Sequence, residues 1–343
     1  MTPVPTPSAP DTQHRPFVSV IMPIRNEAGT IERCLRSVLE QDYPSELIEV
    51  LVADGESEDG SRAIVRRVAD GFPTSTVTVV DNPTQRVPGG LNRALGMARG
   101  DVIVRVDGHS LIPATYVSRC VELLASTGAD NVGGPITAVP APTLTARAIA
   151  LAVSSPFGVG NVAFRTTDRS GWVDTVPFGC WHRSLFERVG TFDEELVRNQ
   201  DDEFNFRIVQ AGGRVWLDPS LRTEYEPRST FRALWHQYFE YGFYKVRVLQ
   251  KRGTLASPRQ AVPGVFVAAL LSSAALSIVR RRPTPLAFVA VPYFVASAGA
   301  AASTARDDRA TAPLLPVAFA VLHVAYGTGF LSGLWRFRRA WQR

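Results

Sequence analysis

Short apolar runs alternate with amphipathic stretches along the first part of the chain. Phe17 to Met22, Ile48 to Ala53, Thr76 to Val80 and Asp101 to Val106 are rich in Val and Ile and read as strands. Between them apolar residues recur at helical spacing: Ile31, Leu35, Val38 and Leu39, then Ile64, Val65 and Val68, then Leu91, Leu95 and Met97 to Ala98. This alternation predicts an α/β domain built on a mostly parallel sheet flanked by helices. Ligands of open sheets bind beyond the carboxyl ends of the strands, so candidate chemistry is sought just after Met22, Ala53 and Val106. Farther on the alternation loosens. A helix near Pro113 to Ala125, a strand-like Asn131 to Val139 and a Gly-punctuated Ser154 to Gly179 are expected to complete the same domain.

The last quarter follows another pattern. Ala261 to Val279, Leu286 to Thr304 and Ala312 to Trp335 are nearly uncharged apolar runs, each close to the ~20 residues that cross a bilayer. Arg280-Arg281-Arg282 and the segment Arg306 to Arg309 separate them, which favours membrane helices over a buried bundle. Three spans would leave Arg280 to Arg282 and the basic end Arg336 to Arg343 both outside, against the positive-inside tendency. The first run, no longer than the second, is interrupted by Ser272-Ser273. It is therefore expected to be interfacial or re-entrant, leaving two spans and a cytoplasmic C-terminus. Ahead of it, Phe231 to Val248 sets Trp235, Tyr238, Phe239, Tyr241, Phe243 and Tyr244 beside Lys245 and Arg247, a composition that suits either a bilayer interface or an aromatic core. Met1 to Pro16, rich in Pro and Thr and without the apolar centre of a signal peptide, reads as a disordered tail, with the first domain staying on the cytoplasmic side. The expected domains are 1–16, 17–228, an amphipathic interface region 229–260, and membrane-associated helices 261–343.

Charge sharpens this division. The net charge of +5 hides two halves: residues 245–343 carry 14 Lys or Arg against Asp307 and Asp308, a balance of +12, which leaves −7 on residues 1–244. The positive charge flanks apolar runs, as in segments that face anionic lipid, and is not grouped on the folded domain as nucleic-acid binding requires. Cys34, Cys120 and Cys180 stand far apart without CxxC spacing, so neither a disulfide framework nor a zinc site is indicated.

Polar residues occupy each place where the sheet should bind a ligand. Strand one runs into Pro23-Ile24-Arg25-Asn26-Glu27 and strand two into Asp54-Gly55, where a strand-end carboxylate can accept from a base or ribose hydroxyl. Val87-Pro88-Gly89-Gly90-Leu91-Asn92 opens a helix without a Walker lysine, and no Lys precedes Lys245, which excludes P-loop chemistry. Strand four runs into Asp107-Gly108-His109, whose side chains project to one side of an extended chain and can converge on a divalent cation. The imidazole tilts the choice from Mg²⁺ toward Mn²⁺. Finally, Asp193, Glu194, Glu195, Asp201, Asp202 and Glu203 crowd six carboxylates into eleven residues. They would repel unless solvent, metal or arginine faced them, so one of them is expected to act as a base.

The order of these motifs resembles family 2 of the inverting glycosyltransferases, which have the GT-A fold, over roughly Phe17 to Arg252. The ExoA type of succinoglycan-biosynthesis glucosyltransferase is most similar, through Arg105 to His109, Asn199 to Asn205 and Tyr225-Glu226-Pro227-Arg228. The resemblance implies that Pro23, Arg25, Glu27, Asp54 and Asn92 surround the nucleotide of a nucleotide-sugar donor. It also implies that Asp107 and His109 stand for the metal-binding Asp-x-Asp, with His at the second Asp. Gln200-Asp201 matches a Glu-Asp pair, which makes Asp201 the general base and Asp202 its rival. Gly179, Trp181 and His182 resemble the acceptor loop, on whose side Gln200 and Asp202 also fall. The implied activity is transfer of a hexose, from UDP-hexose above all, to a polyprenyl-diphosphate-linked saccharide at the cell membrane, in surface polysaccharide synthesis. A polyprenyl-phosphate glycosyltransferase and a non-catalytic nucleotide-sugar-binding membrane subunit are the alternatives.

Overall fold

The structure, a computed structural model, describes residues 15–160, 162–253 and 258–338. Most of the expected N-terminal tail therefore lies outside the described residues. Four Val- and Ile-rich strands come first: β1 (Val18–Ile24), β2 (Ile48–Asp54), β3 (Thr76–Asp81) and β4 (Val102–Arg105). Helices α1 (Ile31–Leu39), α2 (Ser61–Asp70) and α3 (Val87–Met97) connect them, as the periodicity predicts. Beyond β4 come β5 (Ser110–Leu111), α4 (Tyr116–Thr127), β6 (Asn131–Gly133), β7 (Ile136–Ala138), α5 (Leu144–Ser154), α6 (Pro156–Val159), α7 (Ala163–Thr166), β8 (Gly171–Val173) and β9 (Cys180–His182). This part of the chain closes with α8 (Ser184–Val189), α9 (Gln200–Gln210), β10 (Val215–Leu217) and β11 (Thr223–Tyr225).

The main sheet has the order β3-β2-β1-β4-β9-β6-β10-β8. Only β9 and β8 run against the rest, so the sheet is mostly parallel. Side chains alternate between its faces. Val18, Val20 and Met22 pack under α1, α2 and α4, while Ile21, Leu51 and Ile103 pack with α3, α8 and α9 around Trp181 and Phe204. The chain leaves β1 for β2 on one side and returns to β4 on the other, which makes the β1–β4 boundary the switch point where such sheets bind ligands. Pairing between β1 and β4 ends at Ile21 with Arg105, two residues before Pro23, which has no N–H to offer β4.

The strand-like Asn131 to Val139 is divided between two sheets. β6 lies in the main one, and β7 joins β11 and β5 in a three-stranded sheet. Gly134-Pro135 makes the break: a Cβ at Gly134 would lie 1.9 Å from the Leu221 carbonyl oxygen, so only glycine lets the chain pass there.

Helix α10 (Phe231–Arg252) follows, then α11 (Val262–Arg280), α12 (Thr284–Thr304) and α13 (Leu315–Arg336). By length and composition Pro258–Arg280, Thr284–Thr304 and Leu315–Arg336 can each cross a membrane, which marks this end of the chain for membrane association. The helix that packing sets apart is the third, not the first. Helices α11 and α12 expose Val265, Leu271, Phe288, Phe294 and Val295, whereas α13 buries Phe319, Leu322, Ala325 and Gly329. The backbones of α10 and α13 approach closely because Gly242 and Gly329 leave room: a Cβ on either would come within 2.0 Å of a carbonyl oxygen of the other helix. Tyr238, Phe239 and Tyr241 of α10 accordingly pack in the cluster that includes Leu315 and Phe319.

Candidate active site

Strain marks the carboxyl rim of the sheet. Asn26, Glu56 and Gln85, in the loops after β1, β2 and β3, hold φ of 54°, 56° and 55°. For side-chain-bearing residues this costs about 1–3 kcal/mol each, so the surrounding contacts must enforce it. They do. The Asn26 amide donates to Ser57 Oγ (2.9 Å), Glu27 to Ser61 Oγ (2.8 Å) and Ala28 to Asp59 Oδ2 (2.8 Å), stitching the β1 loop to the β2 loop. Asp54 is buried at the end of β2, accepts from Ser57 Oγ at 2.6 Å and faces Arg62 at 3.9 Å. Pro23 is buried in β1 and Arg25 is exposed beside it.

At the end of β4 the structure joins residues 96 positions apart. Arg105, 1% exposed, donates from Nε to Asp107 Oδ1 (2.8 Å), from Nη2 to Asp107 Oδ2 (3.1 Å) and from Nη1 to Asp201 Oδ1. A buried guanidinium is costly unless carboxylates surround it. Burial works against its charge, but Asp107 and Asp201 together raise its pKa. Burial drives the Asp201 carboxyl up, Arg105 opposes, and Asp107 and Asp202 add to the rise, which brings it to about 6.

His109 stands on the other side of Asp107. Its Nδ1 lies 3.2 Å from Glu27 Oε1, and the second Glu27 oxygen accepts from Thr30 Oγ1 at 3.1 Å. Burial acts to lower the imidazole pKa, and Glu27 outweighs it, so the value is raised. The two loops touch because residue 108 is glycine: a Cβ there would sit 2.7 Å from Ile24 Cγ2. Glu27, Asp107, His109 and Asp201 thus share one rim at the switch point.

The six clustered carboxylates sort by partner. Asp201 alone among them meets Arg105. Asp202 turns to α10, where Lys245 Nζ lies at 2.6 Å and Arg252 Nη1 at 3.5 Å. Burial pushes its pKa up, but those two cations outweigh it and hold the carboxyl below the usual range. Glu203 is bidentate to Arg207 (2.8 and 3.0 Å). Glu195 pairs with Arg247 and Lys251, Asp193 with Lys251, and Glu194 accepts from Asn92 at 2.9 Å.

Not every candidate reaches this rim. The Asn92 amide is spent on Phe192, donating to its carbonyl at 2.8 Å and accepting from its N–H at 2.9 Å. Trp181 is a core residue, edge-on to Phe186, Phe192 and Phe204. His182 pairs with Val102, at the end of β4 away from Arg105. Gly179 does arrive: its carbonyl accepts from the Arg105 N–H at 3.0 Å, and its φ of 118° turns the chain beside Phe178, whose ring lies 5.9 Å from the Arg105 guanidinium. Gln200 is half-buried at the start of α9, next to Asp201. The residue at this rim that motif reading passes over is Arg105. Its signal was present, a lone charge inside an apolar strand two residues before Asp107.

Residues 19–190 match glycosyl transferase family 2. The chain belongs to that family. This family 2 glycosyltransferase is 32% identical to the succinoglycan biosynthesis protein ExoA of Rhizobium meliloti (strain 1021) over 93% of its own length and 96% of that protein's. It is 24% identical, over 68% of its length and 74% of the other's, to the dolichyl N-acetyl-alpha-D-glucosaminyl phosphate 3-beta-D-2,3-diacetamido-2,3-dideoxy-beta-D-glucuronosyltransferase of Methanococcus voltae. Its fold resembles that of the mannosyltransferase PcManGT from Pyrobaculum calidifontis, solved with GDP-Man and Mn²⁺, at a TM-score of 0.61 and 23% identity, over 97% of this chain and 91% of that one. The catalytic part has the GT-A fold. Asp201 lies beyond the residues that match the family.

Proposed function

We propose that this enzyme transfers a hexose, with inversion, from a nucleotide sugar to a hydroxyl of a lipid-linked saccharide at the membrane, in the synthesis of a surface polysaccharide. The observation that carries this reading is the Arg105 bridge, which sets Asp107 and Asp201 around one guanidinium at the switch point. Asp54, Pro23, Arg25 and Glu27 form the nucleotide side of the cleft. Asp201, its pKa raised to about 6, is ionised at neutral pH yet basic enough to take a proton from an acceptor hydroxyl as it attacks the anomeric carbon. One carboxylate suffices, because inversion needs no covalent sugar intermediate. Asp202, neutralised by Lys245, is left the task of anchoring α9 to α10.

The donor set at the rim fits a divalent cation. Asp107 would supply a carboxylate, and His109, whose Nδ1 lies 3.2 Å from Glu27 Oε1, would supply Nε2. Among the described residues no third His, Cys, Asp or Glu joins them, so diphosphate oxygens and water would complete the coordination. When bound, the cation offsets charge on the departing diphosphate. The imidazole favours Mn²⁺ over Mg²⁺.

Purified protein incubated with a panel of nucleotide sugars and a lipid-linked acceptor tests the reading, alongside Asp201→Asn. The variant is expected to bind donor normally and to lose transfer by about 10²- to 10⁴-fold. Unimpaired transfer by Asp201→Asn to a simple polyprenyl phosphate, whose acceptor oxygen is already ionised, would instead favour the phosphate-acceptor alternative.

A further inference from the structure

Arg165 of α7 carries a charge that the fold does not balance. Other recessed arginines among the described residues face a carboxylate: Arg105 faces Asp107 and Asp201, Arg198 faces Glu240, Arg207 faces Glu203 and Arg252 of α10 faces Asp202. Among the described residues no carboxylate lies within ion-pair distance of Arg165. Its Nη1 donates to two neutral groups, the Val153 carbonyl at 3.2 Å and the Tyr225 hydroxyl at 2.8 Å. The guanidinium also lies 5.7 Å from the Phe164 ring centre and 5.5 Å from that of Tyr225. Burial works against its charge, and Tyr225, Tyr238 and Tyr241 around it favour the charge, so the group stays protonated. A recessed cation without a counter-ion is what a site for an incoming anion requires.

Its place in the fold narrows the anion. Tyr225 on β11 pairs with Ser110 on β5, the residue after His109. Val153 lies in the last turn of α5, and Ser155, two residues on, contacts Thr304 of α12 at 3.4 Å. Two residues on, Phe157 packs edge-on against Phe319 and His323 of α13. Arg165 therefore sits where the candidate membrane helices meet the active-site rim. We propose that Arg165, framed by Tyr225, receives a phosphate oxygen of the acceptor's polyprenyl diphosphate, holding the lipid-linked saccharide with its sugar toward Asp201. This rests on the lipid-linked acceptor proposed above. Free phosphate would share the chemistry, but nothing would then account for the position against the apolar helices.

Full-length protein in detergent, titrated with radiolabelled farnesyl diphosphate and separately with inorganic pyrophosphate, tests the assignment in wild type, Arg165→Gln and Arg165→Lys. Wild type should bind farnesyl diphosphate more tightly than pyrophosphate. Arg165→Gln should weaken farnesyl diphosphate binding about 10- to 100-fold, the size expected for losing a charge-assisted hydrogen bond, with Arg165→Lys between and nucleotide-sugar affinity unchanged in both. Equal binding by wild type and Arg165→Gln overturns the assignment while leaving the lipid-linked acceptor standing. So does parallel loss of donor affinity in both variants, which would make Arg165 a staple between α5 and β11. Pyrophosphate bound as tightly as the prenyl form overturns the lipid source. Absence of farnesyl diphosphate binding by wild type overturns the acceptor reading, and this assignment with it.

Discussion

Arg105 and Asp201 are 96 residues apart in the chain and share a hydrogen-bonded ion pair at the rim of the sheet. The pair is asymmetric, because the guanidinium is buried and also donates from Nε and Nη2 to Asp107, while Asp201 keeps a quarter of its side chain open to the cleft. Arg105→Lys offers a point charge in place of a fork and can serve one carboxylate well, not both. The variant is expected to fold and to lose about 10- to 100-fold in kcat, on the scale that follows when a catalytic group is misplaced by an ångström. Arg105→Met leaves two recessed carboxylates uncompensated and should cost about 3–5 kcal/mol of stability. Thermal unfolding beside steady-state kinetics separates the two outcomes.

The pH dependence follows from Asp201. A base acts in its ionised form, and burial has raised this carboxyl to about 6. Transfer should therefore be flat above that pH and fall toward a tenfold loss per pH unit below it. Arg105 works to lower the same pKa, so Arg105→Lys is expected to move the acidic limb upward. A wild-type profile that stays flat down to pH 4.5 would remove Asp201 from the role of base.

Asp202 and Lys245 form the contrasting pair. Their contact at 2.6 Å is recessed, with the lysine side chain 9% exposed, and it joins α9 to α10. Asp202→Asn should lower stability by about 2–4 kcal/mol, as breaking a buried pair does, and change kcat by less than about threefold at a temperature where the variant remains folded. A large loss of kcat with normal stability would reopen the choice between the two aspartates.

Glu27 Oε1 lies 3.2 Å from His109 Nδ1, so in the proposed reading it also orients the imidazole. Glu27→Gln keeps the size of the side chain but accepts the Nδ1 proton less strongly. About 10- to 100-fold more Mn²⁺ should be needed for half-saturation, read both from activity and from the electron paramagnetic resonance signal of free Mn²⁺. Unchanged Mn²⁺ binding in His109→Ala would remove the imidazole from the cation site.

Gly242 controls how the apolar helices dock. In Gly242→Ala the new methyl would fall 2.0 Å from the Tyr326 carbonyl oxygen, which is backbone and cannot turn aside. Helix α13 must move off α10, and limited proteolysis between α12 and α13 should speed up while the main sheet keeps its circular dichroism.

Much of the scaffold was legible because its rules are local. Four Val- and Ile-rich runs and the three periodic stretches between them gave strands and helices within a few residues of those observed, and the polar residues after β1, β2 and β4 fall at the switch point where an open sheet binds ligands. The split of Asn131 to Val139 was less visible, since it depends on the Leu221 carbonyl filling the space above Gly134. Asn92, Trp181 and His182 carry suitable chemistry, yet Phe192, the aromatic core and the far end of β4 claim them.

By itself the sequence determined the sheet, the strand ends that bear Glu27, Asp54, Asp107 and His109, the family resemblance, and the presence of three apolar helices, because periodicity and neighbouring side chains are properties of a short stretch of chain. Only the tertiary structure decided which of six crowded acids faces the cleft, that an arginine within β4 joins Asp107 to Asp201, and that α13 lies against α10. Those outcomes depend on which charges and which backbones meet across tens of residues, and a buried charge is stable only beside the partner that folding brings to it.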